Sequence, residues 1–320
     1  MSHMNAWLCN NNKITLATKT VPTIGDYSVL VKNTAIGINP VDWKLIEGNL
    51  GSLSQDYIPG VDGTGTIVAV GEKVQYLELG ARVTYHTDLR RDGSFSEYTA
   101  VDARALLPVP SGVNNIAAAA FPCSGLTALQ AVQKLPETLG QRILVNGAGG
   151  AVGNFICQLL TQQGAKVYAV ASAKRQEALK QIGVIQCIDY HNKNWLNKLS
   201  TTRFFAAFDM VNGESAAKLA PLLEYYGHLI SVQDRVNSSP VAPFTTSISL
   251  HEIALAALHA YGTNAQWHKL IQGGITLLKQ IEIGQLTLPS IKTVPFNKID
   301  TALEKLKTNN DGTKYIALMD

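Results

Sequence analysis

Cysteine is scarce in this chain: Cys9, Cys123, Cys157 and Cys187 are the only four among 320 residues, and no two form a C-x-x-C pair. That scatter argues against a disulfide framework and makes a reducing cytoplasm the expected compartment. Histidine is also sparse, with seven residues and no H-x-x-x-H or H-E-x-x-H cluster, so no metal site is expected. No apolar run approaches the roughly 18–20 residues that span a bilayer, and no signal peptide is visible, so no membrane association is expected. Charge of one sign is lacking too: the net value is +3, with both signs mixed throughout. A nucleic-acid-binding surface is therefore not expected. Met1-Ser2-His3, ahead of Met4, reads as a cloning scar and is left out of the fold reasoning.

What is present suits two domains: 46% of the residues are apolar, enough for substantial cores. The organising stretch is 142–164, RILVNGAGGAVGNFICQLLTQQG. Ile143-Leu144-Val145 is a short strand-like run. After the glycines, Val152, Phe155, Ile156, Leu159 and Leu160 recur at three- and four-residue spacing and share one helix face. Strand, glycine turn and helix begin a βαβ unit. Gly147, Gly149, Gly150 and Gly153, with Ala151 and Val152, stand where a dinucleotide pyrophosphate would meet the helix N-terminus. The spacing is G-x-G-G-x-x-G rather than G-x-G-x-x-G, and a strand–helix turn without a ligand is the alternative.

The second strand, Lys166 to Val170, ends at Ala171-Ser172-Ala173-Lys174-Arg175. An NAD site places an acidic residue there for the ribose hydroxyls, but no Asp or Glu occurs before Glu177. A hydroxyl and two cations suit a 2′-phosphate, so Ser172, Lys174 and Arg175 point to NADPH. Later strand-like runs at 186–188, 206–211 and 227–232 continue a doubly wound parallel sheet. Asn212 and Ser231-Val232-Gln233 follow two of them, at the sheet ends where ligands bind. Residues 250–261 and 266–280 read as helices. The first 110 residues instead carry short strands at 27–33, 65–70, 82–85 and 95–101, which marks a separate β-rich domain.

The order of motifs resembles the medium-chain dehydrogenase/reductase superfamily, and most closely its zinc-independent quinone-oxidoreductase branch. Ile38-Asn39-Pro40-Val41-Asp42-Trp43-Lys44 is similar to that branch's NPxD(W)K segment. Pro59-Gly60-Val61-Asp62-Gly63-Thr64-Gly65, Gly93-Ser94-Phe95-Ser96-Glu97-Tyr98 and Ser124-Gly125-Leu126-Thr127-Ala128 resemble three further motifs in the expected order. The resemblance implies an α/β fold: a Rossmann domain with a doubly wound parallel sheet, expected at 117–282, inside a GroES-like β-barrel domain at 1–116 and 283–320. It also implies NADP(H) in the cleft between them, hydride transfer to quinones or enones, and a homodimer.

Zinc-dependent relatives place a Cys where this chain has Asn39 and a His-Glu pair where it has Asp62-Gly63. Oxidising a simple alcohol needs such a metal or a strong base to remove a proton. Reducing a quinone or a carbonyl-conjugated C=C needs only hydrogen-bond donors for the developing anion. The expected activity is thus a zinc-independent, NADPH-dependent quinone or enone reductase. A non-catalytic NADPH-binding sensor or RNA-associated protein of the same fold is the alternative.

Three residues are candidates for the chemistry. Asn39 stands at the vacated ligand position, where its amide could bond the ribose or the substrate oxygen. Lys44 could donate to an enolate oxygen or clamp a phosphate, or be merely solvated. Tyr57 is an alternative proton donor, with core packing as its bland reading. By resemblance, Thr127 is a nicotinamide-side contact and Tyr190 lies near the adenosine phosphate; Lys314, near the C-terminal strand, is a further candidate cofactor contact. Residues 45–57 and 244–258, with Trp267, would shape the substrate pocket.

Overall fold

The computed structural model describes residues 2–49, 51, 53–308 and 312–319. Leu50 and Ser52, inside the segment expected to shape the pocket, lie outside the described residues. The chain forms two compact units, one of residues 1–123 and 256–320 and the other of 124–255. The divisions expected at 116/117 and 282/283 therefore differ at both crossings. The Asn264–Glu282 helix packs Trp267 among Val29, Val31, Val83 and Val101, so its apolar face belongs to the β-rich unit.

In that first unit the central strand is Ser28–Ile38, whose alternating buried residues include Val29 and Val31. It pairs antiparallel with Asp62–Val70, Tyr98–Asp102 and the C-terminal strand Lys314–Leu318. Arg82–His86 continues the sheet beyond Asp62–Val70. The register puts Ile316, Gly37, Asp62 and His86 in one row across four strands. Two positions before Ile316, Lys314 shares its face of the strand, because side chains alternate with period two. A residue from the chain's far end is thereby delivered to the Gly37–Asp62 row. Gly37 permits the crowding: a Cβ there would lie 2.2 Å from the Ala119 carbonyl oxygen.

The second unit is a six-stranded, wholly parallel sheet. Its order is Gln186–Ile188, Lys166–Val170, Arg142–Asn146, Phe204–Asp209, Leu223–Ser231, Ser249–Glu252. In chain order that is 3-2-1-4-5-6, the doubly wound arrangement. Its topological switch point lies between Arg142–Asn146 and Phe204–Asp209.

Two local readings need correction. Residues 250–261 do not form one helix: Ser249–Glu252 is an edge strand in register with His228–Ser231, and helix resumes only at Leu258–Tyr261. Ladder hydrogen bonds outweigh the local apolar spacing there. Residues 3–10, partly set aside as a scar, form a strand paired with Lys13–Thr20 from His3↔Thr20 onward. Between the helices Asn115–Ala120 and Thr127–Val132 the chain makes a π-helical turn, Pro122–Leu126.

Candidate active site

At the switch point of the parallel sheet, Gly147 adopts φ 84°, a turn open to glycine at low cost. The helix Ala151–Gln162 follows with Gly150 as N-cap and no side-chain cap. Asn154 N–H reaches the Gly150 carbonyl. The N–H groups of Ala151, Val152 and Gly153 meet no acceptor among the described residues. Three orphan donors at the positive end of a helix dipole suit an anion.

The glycines divide by role. A Cβ on Gly153 would lie 2.4 Å from the Gly147 carbonyl oxygen, so this glycine seats the helix against the turn. A Cβ on Gly150 would meet nothing nearer than that same oxygen, at 3.5 Å. The protein's own packing does not require glycine at 150. Gly150→Ala is therefore expected to unfold in urea like the wild type yet bind NADPH at least tenfold more weakly. Gly153→Ala is expected to lose about 1–3 kcal/mol of stability as well. Unchanged NADPH affinity in Gly150→Ala would mean that no phosphate approaches there.

Ser172 caps the helix Ala173–Gln181 without a side-chain hydrogen bond, which leaves its hydroxyl for another partner. A Cβ on Gly149 would come within 3.0 Å of Arg175 Cγ, so the Arg175 stem lies over the glycine turn. Arg175 is thus brought to the glycine turn, with Ser172 and Lys174 at the N-terminal end of the same helix. Ala171 N–H donates to the Ile188 carbonyl, bringing the next strand end alongside. There Tyr190, 51% exposed, stacks on His191 at 4.3 Å.

Asn212 is otherwise occupied: its side chain caps Gly213–Leu219 by accepting from Ser215 N–H at 2.8 Å. Ser231 is buried; Val232 N–H donates to the Asp209 carbonyl, and Gln233 follows at the same strand end. Thr127 opens the helix Thr127–Val132 and is 8% exposed.

Sequence reasoning missed the group that closes this end of the sheet. Buried Asp209 accepts on Oδ2 from Asn146 Nδ2 at 2.7 Å and Ser215 Oγ at 2.8 Å. On Oδ1 it accepts from Val211 N–H at 2.8 Å and Asn212 N–H at 3.0 Å. Its position at a strand's carboxyl end was the available signal.

The β-rich unit holds the second constellation. Lys314 Nζ donates to Asn39 Oδ1 at 2.5 Å and to Asp62 Oδ2 at 3.0 Å. Asn39 Nδ2 donates to Asp62 Oδ2 at 2.8 Å and to the Gly37 carbonyl at 3.2 Å. Asp62 Oδ1 accepts from Cys123 N–H at 2.9 Å. Asp42 accepts from Asn39 N–H at 2.7 Å and Val61 N–H at 3.1 Å. All four side chains are at most 4% exposed.

Burial dominates the electrostatics of this cluster. It pushes the Asp42 carboxyl up to about 8, with the Asp62 charge adding to the rise. Asp62 is also raised by burial, against the opposing pull of Lys314 and Asn39. One cation faces two carboxylates, so a proton on Asp42 leaves the cluster neutral.

Asn39 and Lys314 are therefore together in one hydrogen-bonded cluster. The Tyr57 hydroxyl donates to the Leu89 carbonyl at 3.1 Å, and burial raises its pKa. Lys44, on the helix Pro40–Ile46, carries its ammonium 5.4 Å from the Trp43 ring centroid. His86, in the row with Asp62, is pushed down to about 3 by burial, with His259 contributing. Among the described residues no group of three or more His, Cys, Asp or Glu could hold a metal ion.

Two protein families match this chain: the alcohol dehydrogenase GroES-like domain over residues 25–111 and the zinc-binding dehydrogenase domain over residues 151–273. The 2-methylene-furan-3-one reductase of Solanum lycopersicum is 32% identical over 212 residues, 62% of this chain and 54% of that protein. The chain thus spans about half the length of that relative. The chloroplast envelope quinone oxidoreductase homolog of Arabidopsis thaliana is 31% identical over 230 residues, 68% of this chain and 70% of that one. The NADPH-dependent alkenal/one oxidoreductase of Arabidopsis thaliana is 34% identical over 185 residues, 54% of this chain and 48% of the relative. Among solved structures, the quinone oxidoreductase from Coxiella burnetii shares the fold with a TM-score of 0.84, at 22% identity and over 100% of both chains.

Proposed function

The chain belongs to the medium-chain dehydrogenase/reductase superfamily, in its quinone-oxidoreductase-like branch, and from that premise we propose an NADPH-dependent, zinc-independent reductase of quinones or α,β-unsaturated carbonyls. The observation that carries the reading is the uncapped start of Ala151–Gln162, where a Cβ on Gly150 would meet nothing nearer than 3.5 Å and the Arg175 stem lies over Gly149. These residues fit a phosphorylated dinucleotide. The backbone at 151–153 would hold the pyrophosphate, while Ser172, Lys174, Arg175 and Tyr190 would hold the 2′-phosphate end. When bound, the reduced nicotinamide supplies a hydride. The relatives' names, furanone reductase, quinone oxidoreductase and alkenal/one oxidoreductase, support a conjugated carbonyl as the acceptor.

The residues at 39 and 62 do not fit a zinc ion, because the Lys314 ammonium lies within 3.0 Å of both side chains. The protein's part is to bind, orient and stabilise. Lys44 remains a proposed donor near the acceptor. Asn39 keeps only acceptor capacity, both its amide hydrogens being used. Four free cysteines fit a reducing compartment such as the cytoplasm. A homodimer joined along the outer edge of Ser249–Glu252, with Leu250 42% exposed, completes the reading, and analytical ultracentrifugation decides it.

Replacing Lys174 and Arg175 together by alanine is expected to weaken NADPH at least tenfold and leave NADH nearly unchanged. Charge-assisted bonds of about 1.5–3 kcal/mol are lost only with the 2′-phosphate. Equal losses for both nucleotides, by fluorescence titration, would defeat the cofactor assignment. NADPH oxidation with a quinone and enone panel tests the activity; tight NADPH binding without turnover on any acceptor would leave a binding protein.

A further inference from the structure

The buried cluster of the β-rich unit has a donor left over. An ammonium carries three hydrogens. Lys314 places two of them, on Asn39 Oδ1 and Asp62 Oδ2, and no third acceptor meets Nζ among the described residues. Two of the other candidates are fully engaged: Asn39 gives both amide hydrogens to Asp62 and Gly37, and the Tyr57 hydroxyl is given to Leu89. Of Asn39, Tyr57 and Lys314, only Lys314 retains a hydrogen for an incoming oxygen.

Resting on the function proposed above, we propose that the Lys314 ammonium is the electrophilic catalytic residue, its third N–H receiving the acceptor's carbonyl oxygen. Position and environment both favour this. Lys314 is 4% exposed, and its charge acts where water screens little. Asn39, Asp62 and the Cys123 N–H that braces Asp62 hold it, so no reorganisation is needed as charge develops. A positive charge thus stands between positions 39 and 62 without a metal ion.

The step balances as follows. A bound reduced nicotinamide would supply the hydride for a C–H bond at the acceptor's electrophilic carbon, and the displaced π pair would move through the conjugated system onto the carbonyl oxygen. That oxygen, now an enolate or hydroquinone anion, is held by the Lys314 N–H. Lys314 keeps its proton, and solvent supplies the one that completes the product.

The test separates charge at this site from folding. Lys314→Met/Asp62→Asn removes the cation and its counter-charge together, so the buried cluster stays balanced. Expected, at saturating NADPH, is a 10²–10³-fold loss of kcat with an enone. A second readout is independent of turnover: p-nitrophenol titrated onto the protein and followed by absorbance. The wild type is expected to bind the phenolate in preference to the phenol, and the double variant to lose that preference. Lys314→Arg, which keeps the charge, is expected to retain part of both.

A double variant with wild-type kcat would overturn the proposal. So would a wild type that binds neither form of the probe, or favours the neutral phenol. Should the double variant fail to fold, the wild-type and Lys314→Arg titrations decide alone. A wild type that oxidises NADPH with no acceptor sinks the proposed function instead, which is a different outcome from an active enzyme indifferent to Lys314.

Discussion

Lys314→Met alone is expected to lower the unfolding free energy by about 3–5 kcal/mol, the cost of leaving one member of a buried ion pair unpaired. Asp62, with no exposed surface, would keep its Asn39 and Cys123 donors but lose its only cation. The double variant Lys314→Met/Asp62→Asn is expected to recover most of the loss, because no buried charge then lacks a partner. Urea unfolding of both singles and the double gives the coupling energy directly. Additive losses would mean that the pair's contribution is packing rather than charge.

The same cluster should shape the pH dependence. Asp42 holds its proton up to about pH 8 in the folded state, against 3.8 as the ordinary value. Between about pH 4 and 8 the folded state therefore binds one more proton than the unfolded state. Stability from this group is complete below pH 4 and is lost as pH rises, by about 1.4 kcal/mol per unit at most. His86 acts in the opposite sense: ordinarily near 6.5 and folded near 3, it costs stability as pH falls through that window. Between about pH 4 and 6.5 the Asp42 and His86 effects offset each other, and above 6.5 the His86 effect no longer opposes that of Asp42.

Asp42→Asn isolates that effect. One of the backbone donors Asn39 N–H and Val61 N–H loses its partner, so the variant should be less stable at pH 5 by about 1–3 kcal/mol. The deficit is expected to shrink or reverse by pH 8.5, where the wild type pays for a buried carboxylate. Parallel stability curves for the two proteins would contradict the assignment.

Local chemistry was legible in the sequence and long-range chemistry was not. The glycine turn and the face of Val152, Phe155, Ile156, Leu159 and Leu160 are encoded within twenty residues, and the Ala151–Gln162 helix forms where the spacing places it. Residues 250–252 read as helix because their apolar spacing is ambiguous over so short a run. Only the neighbouring Leu223–Ser231 strand makes them a strand. The contact of Lys314 with Asn39 crosses 275 positions and depends on the antiparallel register of two distant strands. Nothing near Asn39 signals that its amide hydrogens are already taken. Read from the sequence, Asn39 and Lys314 have separate roles, and the side-chain geometry joins them into one network.

The most direct measurement of the central chemistry is isotope transfer from NADPH carrying deuterium at C4, with each of its two faces labelled in turn. Incubated with a carbonyl-conjugated alkene, one labelled face is expected to deliver one deuterium per product molecule to the β-carbon, by mass spectrometry, in protein purified and assayed with a zinc chelator present. NADPH oxidation that leaves the product unlabelled from both faces, or transfer that disappears with the chelator and returns with zinc, would contradict it.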